Sequence, residues 1–343
     1  MAAPPKLAVV LMNLGGPSEE AALAPFLFNF FMDKYIIRLP LPLRYFVARW
    51  LSWRRSRGAA REAYHRLGGI SPLLPNTAAQ AQALEKALQD GHTGAKVFVA
   101  MRHWHPFAAQ VVREVAGFNP DKIVLLPLYP QFSTTTSLSS LQNWRAAAKK
   151  HRLARPTVDI CCYPADPGFI GASAELVRAA LKEAPKKVRV LFSAHGLPEK
   201  IIRQGDPYQE QCERTAAAIV RRLDIPLLDW RLCYQSKIGR LRWTGPSLEQ
   251  SLKEAAADQV AVLVYPCAFV SEHVETLVEI DVECRARARH LGIPYFAKVP
   301  TVGTHPEFIA GLKNLVLSSL DGAECKKTCS DRFNKCHSGV KND

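Results

Sequence analysis

The 343-residue chain contains no apolar run long enough to cross a bilayer, which takes about 20 consecutive largely apolar residues. That excludes an ordinary helical membrane protein. Its beginning lacks the charged, apolar and small-residue pattern of a secretory leader. Lys6 leads straight into Leu7–Leu14, which reads as a first strand. No P-loop occurs, and the Gly15-Gly16 pair lacks the G-x-G-x-x-G spacing, so it is a weak dinucleotide signal. No G-x-S-x-G elbow points to a hydrolase. Neither zinc-finger spacing nor an RNA-binding signature is present, which counts against nucleic acid as a partner. The nine cysteines lack the spacing of a small secreted domain. They predict a reducing compartment, the cytoplasm, and mostly free thiols.

What is present fits a soluble globular chain: 48% hydrophobic and 22% charged residues, with length for one large domain or two medium ones. The net charge is +14, which draws anionic partners: nucleic acid, a membrane surface or an acidic ligand. Its distribution helps to choose. Residues 25–57 hold seven basic residues (Lys34, Arg38, Arg44, Arg49, Arg54, Arg55, Arg57) against one acid, Asp33. The same stretch carries Phe26, Phe28, Phe30, Phe31, Tyr35, Tyr45, Phe46, Trp50 and Trp53. Phe26/Phe30 and Phe46/Trp50/Trp53 recur at helical spacing. Such a basic aromatic face suits the interface of an anionic membrane, or else an ordinary amphipathic helix on the core.

Eight apolar runs read as strands: Leu7–Leu14, Lys96–Arg102, Lys122–Leu128, Thr157–Tyr163, Lys187–His195, Trp230–Ser236, Gln259–Phe269 and Pro294–Val299. Several are apolar on both faces, as in a parallel sheet covered by helices. Between them, Asn76–Leu88, Pro106–Val115, Ser137–Lys150, Gly168–Lys182, Tyr208–Leu223 and Pro246–Asp258 have helical spacing and crossover length. This alternation predicts an α/β fold of two Rossmann-like halves, each a four-stranded parallel sheet flanked by helices, facing each other across a cleft. The halves are expected at 1–165 and 166–320, without a visible sequence repeat. Residues 321–343 form a cysteine-containing extension after a last helix at about 306–319.

Polar residues gather where the strands stop: Asn13-Leu14-Gly15-Gly16, Arg102-His103-Trp104-His105, Tyr129-Pro130-Gln131-Phe132-Ser133, His195, Gln235-Ser236-Lys237 before Trp243, and Phe269-Val270-Ser271-Glu272-His273. Ligands of open α/β sheets bind outside the carboxyl ends of strands, so these ends predict an active-site rim. His195 is its titratable centre, able to exchange a proton near neutral pH. After the seventh strand, Glu272, Glu275, Glu279 and Glu283 share one ridge of a predicted helix. Like charges at this spacing destabilise a helix. The ridge is either a solvated face or a line for protons or a divalent metal leading to the histidine.

These segments, in order over roughly residues 7–315, resemble the ferrochelatase family, which inserts Fe(II) into a porphyrin to complete haem. The carrying motifs are Leu14-Gly15-Gly16-Pro17, Gly68-Gly69-Ile70-Ser71-Pro72, Arg102-His103-Trp104-His105-Pro106, Tyr129-Pro130-Gln131, Ser193-Ala194-His195-Gly196-Leu197-Pro198, Gly205-Asp206-Pro207-Tyr208, Gln235-Ser236-Lys237-Ile238-Gly239, Trp243-Thr244-Gly245-Pro246 and Phe269–Leu277. The resemblance is to a bacterial type with a C-terminal cysteine extension. It implies protoporphyrin IX and Fe(II) as substrates, protohaem as product and release of two protons. His195 is implied as proton acceptor or iron ligand, with Glu275 as its partner in both catalysis and metal binding. Glu272, where the family often has Asp, His273 and Glu279 would form the proton or metal path. Leu14, Arg102, Tyr129, Ser133, Trp243 and Phe269 would line the porphyrin pocket. Residues 25–57 match the family's lip over that pocket, implying peripheral association with the inner membrane. A homodimer is left open. Coproporphyrin III chelation, or a porphyrin carrier on the same fold, are the alternatives. A carrier would need neither a base at 195 nor a carboxylate at 275.

Cys325, Cys329 and Cys336 supply three thiolates in a polar tail. Some members of the family carry a 2Fe–2S cluster on such an extension. Here Thr134 stands where animal members place the fourth cysteine, and the tail spacing differs, so Cys161 or Cys162 is the expected fourth ligand. A Cys₃His zinc site with His337, or free thiols, are the alternatives.

Overall fold

The computed structural model describes residues 5–89, 94–236 and 241–320. Two compact units divide the chain close to residue 161. In the first, β1 (Leu7–Asn13) lies between β2 (Ala95–Met101) and β3 (Lys122–Pro127), and β4 (Thr157–Asp159) closes the edge, giving the order β2-β1-β3-β4 with every pair parallel. In the second, β5 (Val188–His195) lies between β6 (Trp230–Gln235) and β7 (Ala261–Tyr265), with β8 (Phe296–Lys298) at the edge, in the order β6-β5-β7-β8 and again parallel. All eight expected strands are present, and the two sheets repeat one strand order. The sequence shows no trace of that repeat, because a buried strand needs only apolar residues of suitable size.

The strands are buried because helices cover them. The helices are α1 (Leu23–Phe31), α2 (Leu41–Ser56), α3 (Ala59–His65), α4 (Leu73–Gln89), α5 (Ala108–Phe118), α6 (Ser139–Lys150), α7 (Pro167–Glu183), α8 (Glu199–Arg203), α9 (Tyr208–Leu223), α10 (Leu248–Ala257), α11 (Cys284–His290) and α12 (Pro306–Leu320). One face of the first sheet packs Val10, Met12, Phe98 and Leu125 against Val111 and Val112 of α5 and Leu141 and Trp144 of α6. In the second unit Leu191, Val262 and Val264 meet Leu248 and Leu252 of α10 and Ala288 of α11. Among the described residues no helix is long and apolar enough to cross a membrane.

Three expectations are corrected. The fourth strand ends at Asp159 rather than Tyr163. The chain then turns so that the Tyr163 N–H donates to the Pro130 carbonyl instead of to a strand, which leaves Cys161 and Cys162 beyond the strand. The seventh ends at Tyr265, since Pro266 has no N–H for a ladder. The helix bearing the acidic ridge is a π-helix, Glu275–Glu283, that runs into α11. Its backbone bonds reach five residues back, as in Cys284 N–H to the Glu279 carbonyl. Such long π segments are uncommon and concentrate at functional sites.

The lip segment also departs from expectation. Phe26 and Phe31 of α1 are buried, Phe28 packs edge-on against Tyr45, and Arg55 lies over Phe31. The exposed apolar side chains belong to α2: Leu41 and Tyr45 near its start, and Leu43, Phe46, Trp50 and Trp53 on the face opposite the buried Ala48 and Ser52. Arg54 and Arg57 lie over the Trp50 and Trp53 rings. Helical spacing shows which residues share a face, but not which face the rest of the fold covers.

Candidate active site

The parallel register of β5 and β6 sets Gln235 beside His195 at the carboxyl edge of the second sheet. Gly196 follows, and a Cβ there would sit 2.7 Å from the Gln235 carbonyl oxygen, so only glycine lets the chain leave the strand at this point. Pro198 then pairs with Trp243, and the Thr244 N–H donates to the Leu197 carbonyl. That bridge brings the Trp243 segment alongside the end of β5.

His195 Nδ1 lies 2.9 Å from Glu275 Oε2. Gln235 Nε2 donates to the same oxygen at 3.3 Å, and Gln235 Oε1 accepts from Ser193 Oγ at 2.8 Å. His273 Nε2 stands 3.9 Å from that oxygen, its Nδ1 3.2 Å from the Ser271 carbonyl oxygen and its ring tilted against Phe269 at 4.7 Å. One π-helical turn on, Glu279 Oε2 accepts a short hydrogen bond from Ser236 Oγ. Glu283 is exposed, so the ridge leads from a half-buried carboxylate to solvent.

Glu272 has another task. Its Oε1 accepts from Lys298 Nζ at 2.7 Å and from the Thr301 N–H at 2.9 Å, and its Oε2 accepts from Thr276 Oγ1. It pins the start of the helix rather than joining the line to His195.

The electrostatics separate these groups. Burial pulls His195 down, but the Glu275 charge and hydrogen bond, helped by Glu279, raise it above its ordinary value. Burial would raise Glu275, yet His195, and then His273, hold it well below the carboxylate range. Glu279 is pushed up to about 7 by burial and by the Glu275 charge. Burial raises Glu272, and Lys298 with its hydrogen bonds brings it below normal. The centre therefore couples an imidazole whose charged form is favoured to a carboxylate that stays ionised, beside a carboxyl group, Glu279, poised to gain or lose a proton near neutral pH. Perturbed groups of this kind mark functional sites.

In the first unit, Arg102 and His103 continue beyond β2, their N–H groups donating to the carbonyls of Asn13 and Leu14. Gly15, at φ +87°, turns the neighbouring chain where a Cβ would stand 3.0 Å from the Trp104 nitrogen. The Arg102 guanidinium is paired with Asp33 at 2.9 Å.

A ferrochelatase family profile matches residues 6–320. The chain belongs to the ferrochelatase family. The ferrochelatase of Caulobacter vibrioides (strain NA1000 / CB15N) is 47% identical over 341 residues, 96% of this chain and 97% of its own. That of Wolbachia sp. subsp. Drosophila simulans (strain wRi) is 48% identical over 316 residues, 91% of this chain and 99% of its own. The fold is shared with chelatases. SirB from Bacillus subtilis, solved with Fe3+, superposes with TM-score 0.55 over 93% of this chain and 98% of its own, at 12% identity. CbiX, described as the terminal enzyme of sirohaem biosynthesis in denitrifying bacteria, gives 0.51 over 92% and 99%, at 14% identity. Ferrochelatase activity is a lyase reaction, the terminal step of haem biosynthesis, and it is the activity of this chain.

With the ferrochelatase reaction in view, the expected site residues sort by neighbourhood. His195, Glu275, His273, Phe269 and Glu279 come together in the second unit. Tyr129 also belongs to that unit, where Gln131 beside it donates to Thr215 Oγ1 and to the Cys267 carbonyl. Ser133 is buried, and its hydroxyl accepts from the Thr135 N–H as the cap of a short π-helix, Thr134–Leu138. Lys237, in the Gln-Ser-Lys motif, lies outside the described residues, as do Cys325, Cys329, Cys336 and His337. Cys161 and Cys162 are buried, and Cys162 Sγ accepts from Gln211 Nε2 at 3.4 Å. Cys212, Cys233 and Cys267 are fully buried, and burial raises all three thiols. They are core residues, whereas Cys284 is only partly buried.

Sequence reasoning missed the supports. Gln235 and Ser193 were quoted only as motif members, although pairing the ends of the fifth and sixth strands would have placed Gln235 next to His195. Ser236 enters the sequence reading only as a member of a strand end and a motif. It holds φ +63°, unusual for a non-glycine residue, while its hydroxyl engages Glu279.

Proposed function

We propose that this ferrochelatase inserts Fe(II) into protoporphyrin IX with His195 and Glu275 as the reacting pair. The observation that carries the reading is the 2.9 Å contact from His195 Nδ1 to Glu275. It occupies one ring nitrogen and leaves Nε2 without a hydrogen bond to the described residues. The His195 side chain keeps 35% of its surface exposed, so Nε2 is open to a ligand.

The reaction must remove two pyrrole N–H protons and strip water from the metal. His195 Nε2 accepts a proton when the imidazole is neutral. Glu275 stabilises the imidazolium that results, and Glu279 is the next group able to take the charge outward. In the alternative role Nε2 would instead be a donor to iron as substrate and would then accept no proton, and the Glu275 carboxylate would join it only on leaving Nδ1. The porphyrin contacts proposed are Leu14, Arg102, Tyr129, Ser133, Trp243 and Phe269. The burial of Ser133 restricts it to shaping the wall. Anaerobic insertion assays with protoporphyrin IX and coproporphyrin III, each with Fe(II), test substrate choice. Turnover favouring coproporphyrin III would reverse the assignment.

A lipophilic dicarboxylic porphyrin partitions into membrane, and the exposed face of α2 suits the same place. Its large apolar side chains are interleaved with Arg49, Arg54 and Arg57, and each basic residue near an anionic surface contributes about 1 kcal/mol. The proposed location is therefore peripheral, on the cytoplasmic side of the inner membrane. Replacing Phe46, Trp50 and Trp53 together by serine is expected to abolish flotation with phosphatidylglycerol vesicles while leaving the melting temperature unchanged, because none of the three is buried. Undiminished flotation would remove the membrane assignment.

The tail thiols Cys325, Cys329 and Cys336 are proposed to hold a 2Fe–2S cluster with Cys161 or Cys162. Thiolates suit such clusters, and the core of the chain offers two adjacent cysteines. Among the described residues no group of three or more His, Cys, Asp or Glu side chains is arranged to hold a metal ion. Anaerobically purified protein is expected to absorb in the visible and to lose that absorption on Cys329→Ser. A colourless protein with one zinc would replace the cluster by the Cys₃His alternative.

A further inference from the structure

Asp33, the one acid in a strongly basic stretch, is more deeply buried than any of the cations around it. Its side chain exposes no surface. Oδ1 accepts the Tyr35 N–H at 2.9 Å. Oδ2 takes the Arg102 guanidinium at 2.9 Å and a short hydrogen bond from Ser139 Oγ, which itself accepts from Arg102 Nε at 2.7 Å. The triangle joins the end of α1, the end of β2 and the first residue of α6. His103 adds no competing charge. It is buried, its ring nitrogens have no hydrogen-bond partner, and burial and then the Arg102 charge hold its pKa well below the ordinary value.

A buried ion pair is poor evidence of stabilisation, since apolar replacements of the same shape are often as stable or more so. A locked geometry is the better account of this one. Arg102 has Nε and Nη2 fixed, keeps 19% of its side chain exposed, and has Nη1 without a hydrogen bond to the described residues. We propose that Asp33, assisted by Ser139, is a positioning residue that fixes the Arg102 fork for the porphyrin and ties its orientation to the seating of α1. The inference rests on the assignment of Arg102 to the porphyrin pocket.

The test is a double-mutant cycle on the full chain, with steady-state kinetics on protoporphyrin IX and Fe(II). Asp33→Asn keeps the shape but removes the charge and replaces one of the two acceptor oxygens by a donor amide, so the contacts on that side are lost. It is expected to raise KM for porphyrin about tenfold with little change in kcat, since a charge-assisted bond no longer orients the guanidinium. In an Arg102→Leu background the same substitution is expected to add nothing, because coupled residues are not additive. Equal loss in both backgrounds would show a merely structural Asp33 and overturn the proposal. Wild-type kinetics for Arg102→Leu alone would instead remove Arg102 from the pocket, and the proposal with it. Loss in Arg102→Leu without loss in Asp33→Asn would overturn the positioning role only. Should Asp33→Asn fail to fold, Ser139→Ala cuts the second tether. It is expected to shift KM in the same direction by less, again only while Arg102 is present; no shift would overturn the proposal.

Discussion

Replacing His195 by alanine is expected to lower kcat for iron insertion by about 10³ or more, the range lost with a positioned proton acceptor. The fold should survive. His195 is half-exposed at a strand end, and Glu275 keeps the Gln235 amide and the nearby His273 when the imidazole is gone. The melting temperature is expected to move by no more than about 4 °C, which corresponds to about 1 kcal/mol in a unit of this size. The pH profile supplies the second half of the test. An acceptor must be neutral, and Glu275 raises the His195 pKa above its ordinary value. Wild-type kcat/KM should therefore rise with pH through a value above about 6.5. Glu275→Gln removes the charge responsible. It should move that acidic limb to lower pH while reducing the plateau, whereas Glu283→Gln, at the exposed end of the ridge, should do neither. A His195→Ala protein with normal turnover would sink the assignment, and equal effects at 275 and 283 would return the ridge to a solvated face.

The strands were legible because parallel strands buried on both faces show as unbroken apolar runs, and each of the eight runs holds one. Their ends were legible where a residue enforces them, as the glycine after His195 does, and illegible where the cue is tertiary. Nothing local tells Tyr163 to donate its N–H to Pro130. The π-helix was hidden because a glutamate every fourth residue keeps to one side of both an α-helix and a π-helix. The meeting of His195 and Glu275 was readable from strand ends and family motifs. Asp33 was counted only as a charge, because sequence does not show that this carboxylate is buried and paired with Arg102 and Ser139. Burial likewise divided the lip, taking Phe26 and Phe31 inward and leaving Phe46, Trp50 and Trp53 outside.

Glu279 sets stability against activity, and its substitution should show both. Its pKa, pushed up to about 7, means that the folded state holds a proton which the unfolded chain has already released near its ordinary value of about 4.5. Between those values the native state binds more protons than the unfolded state, so stability falls as pH rises. The penalty is absent below about pH 4.5, complete above about pH 7, and on the order of 2 kcal/mol after allowance for partial exposure. Glu279→Gln carries no such penalty. It should melt higher than the wild type at pH 8 and match it near pH 5, as thermal scans at the two pH values would show. The same substitution removes the carboxyl group beside Glu275 that can take up and release a proton near neutrality. Turnover should therefore drop by about 10-fold to 100-fold, on the lower side of what general acid–base groups contribute. A variant that is more stable at pH 8 yet fully active would take Glu279 out of the proton path and leave its buried charge without a use. One that is both less stable and less active would show that the carboxylate itself is what the fold requires there, and that its charge carries no penalty. A carboxylate that weakens its own protein at working pH fits a site kept for turnover, as functional residues often are.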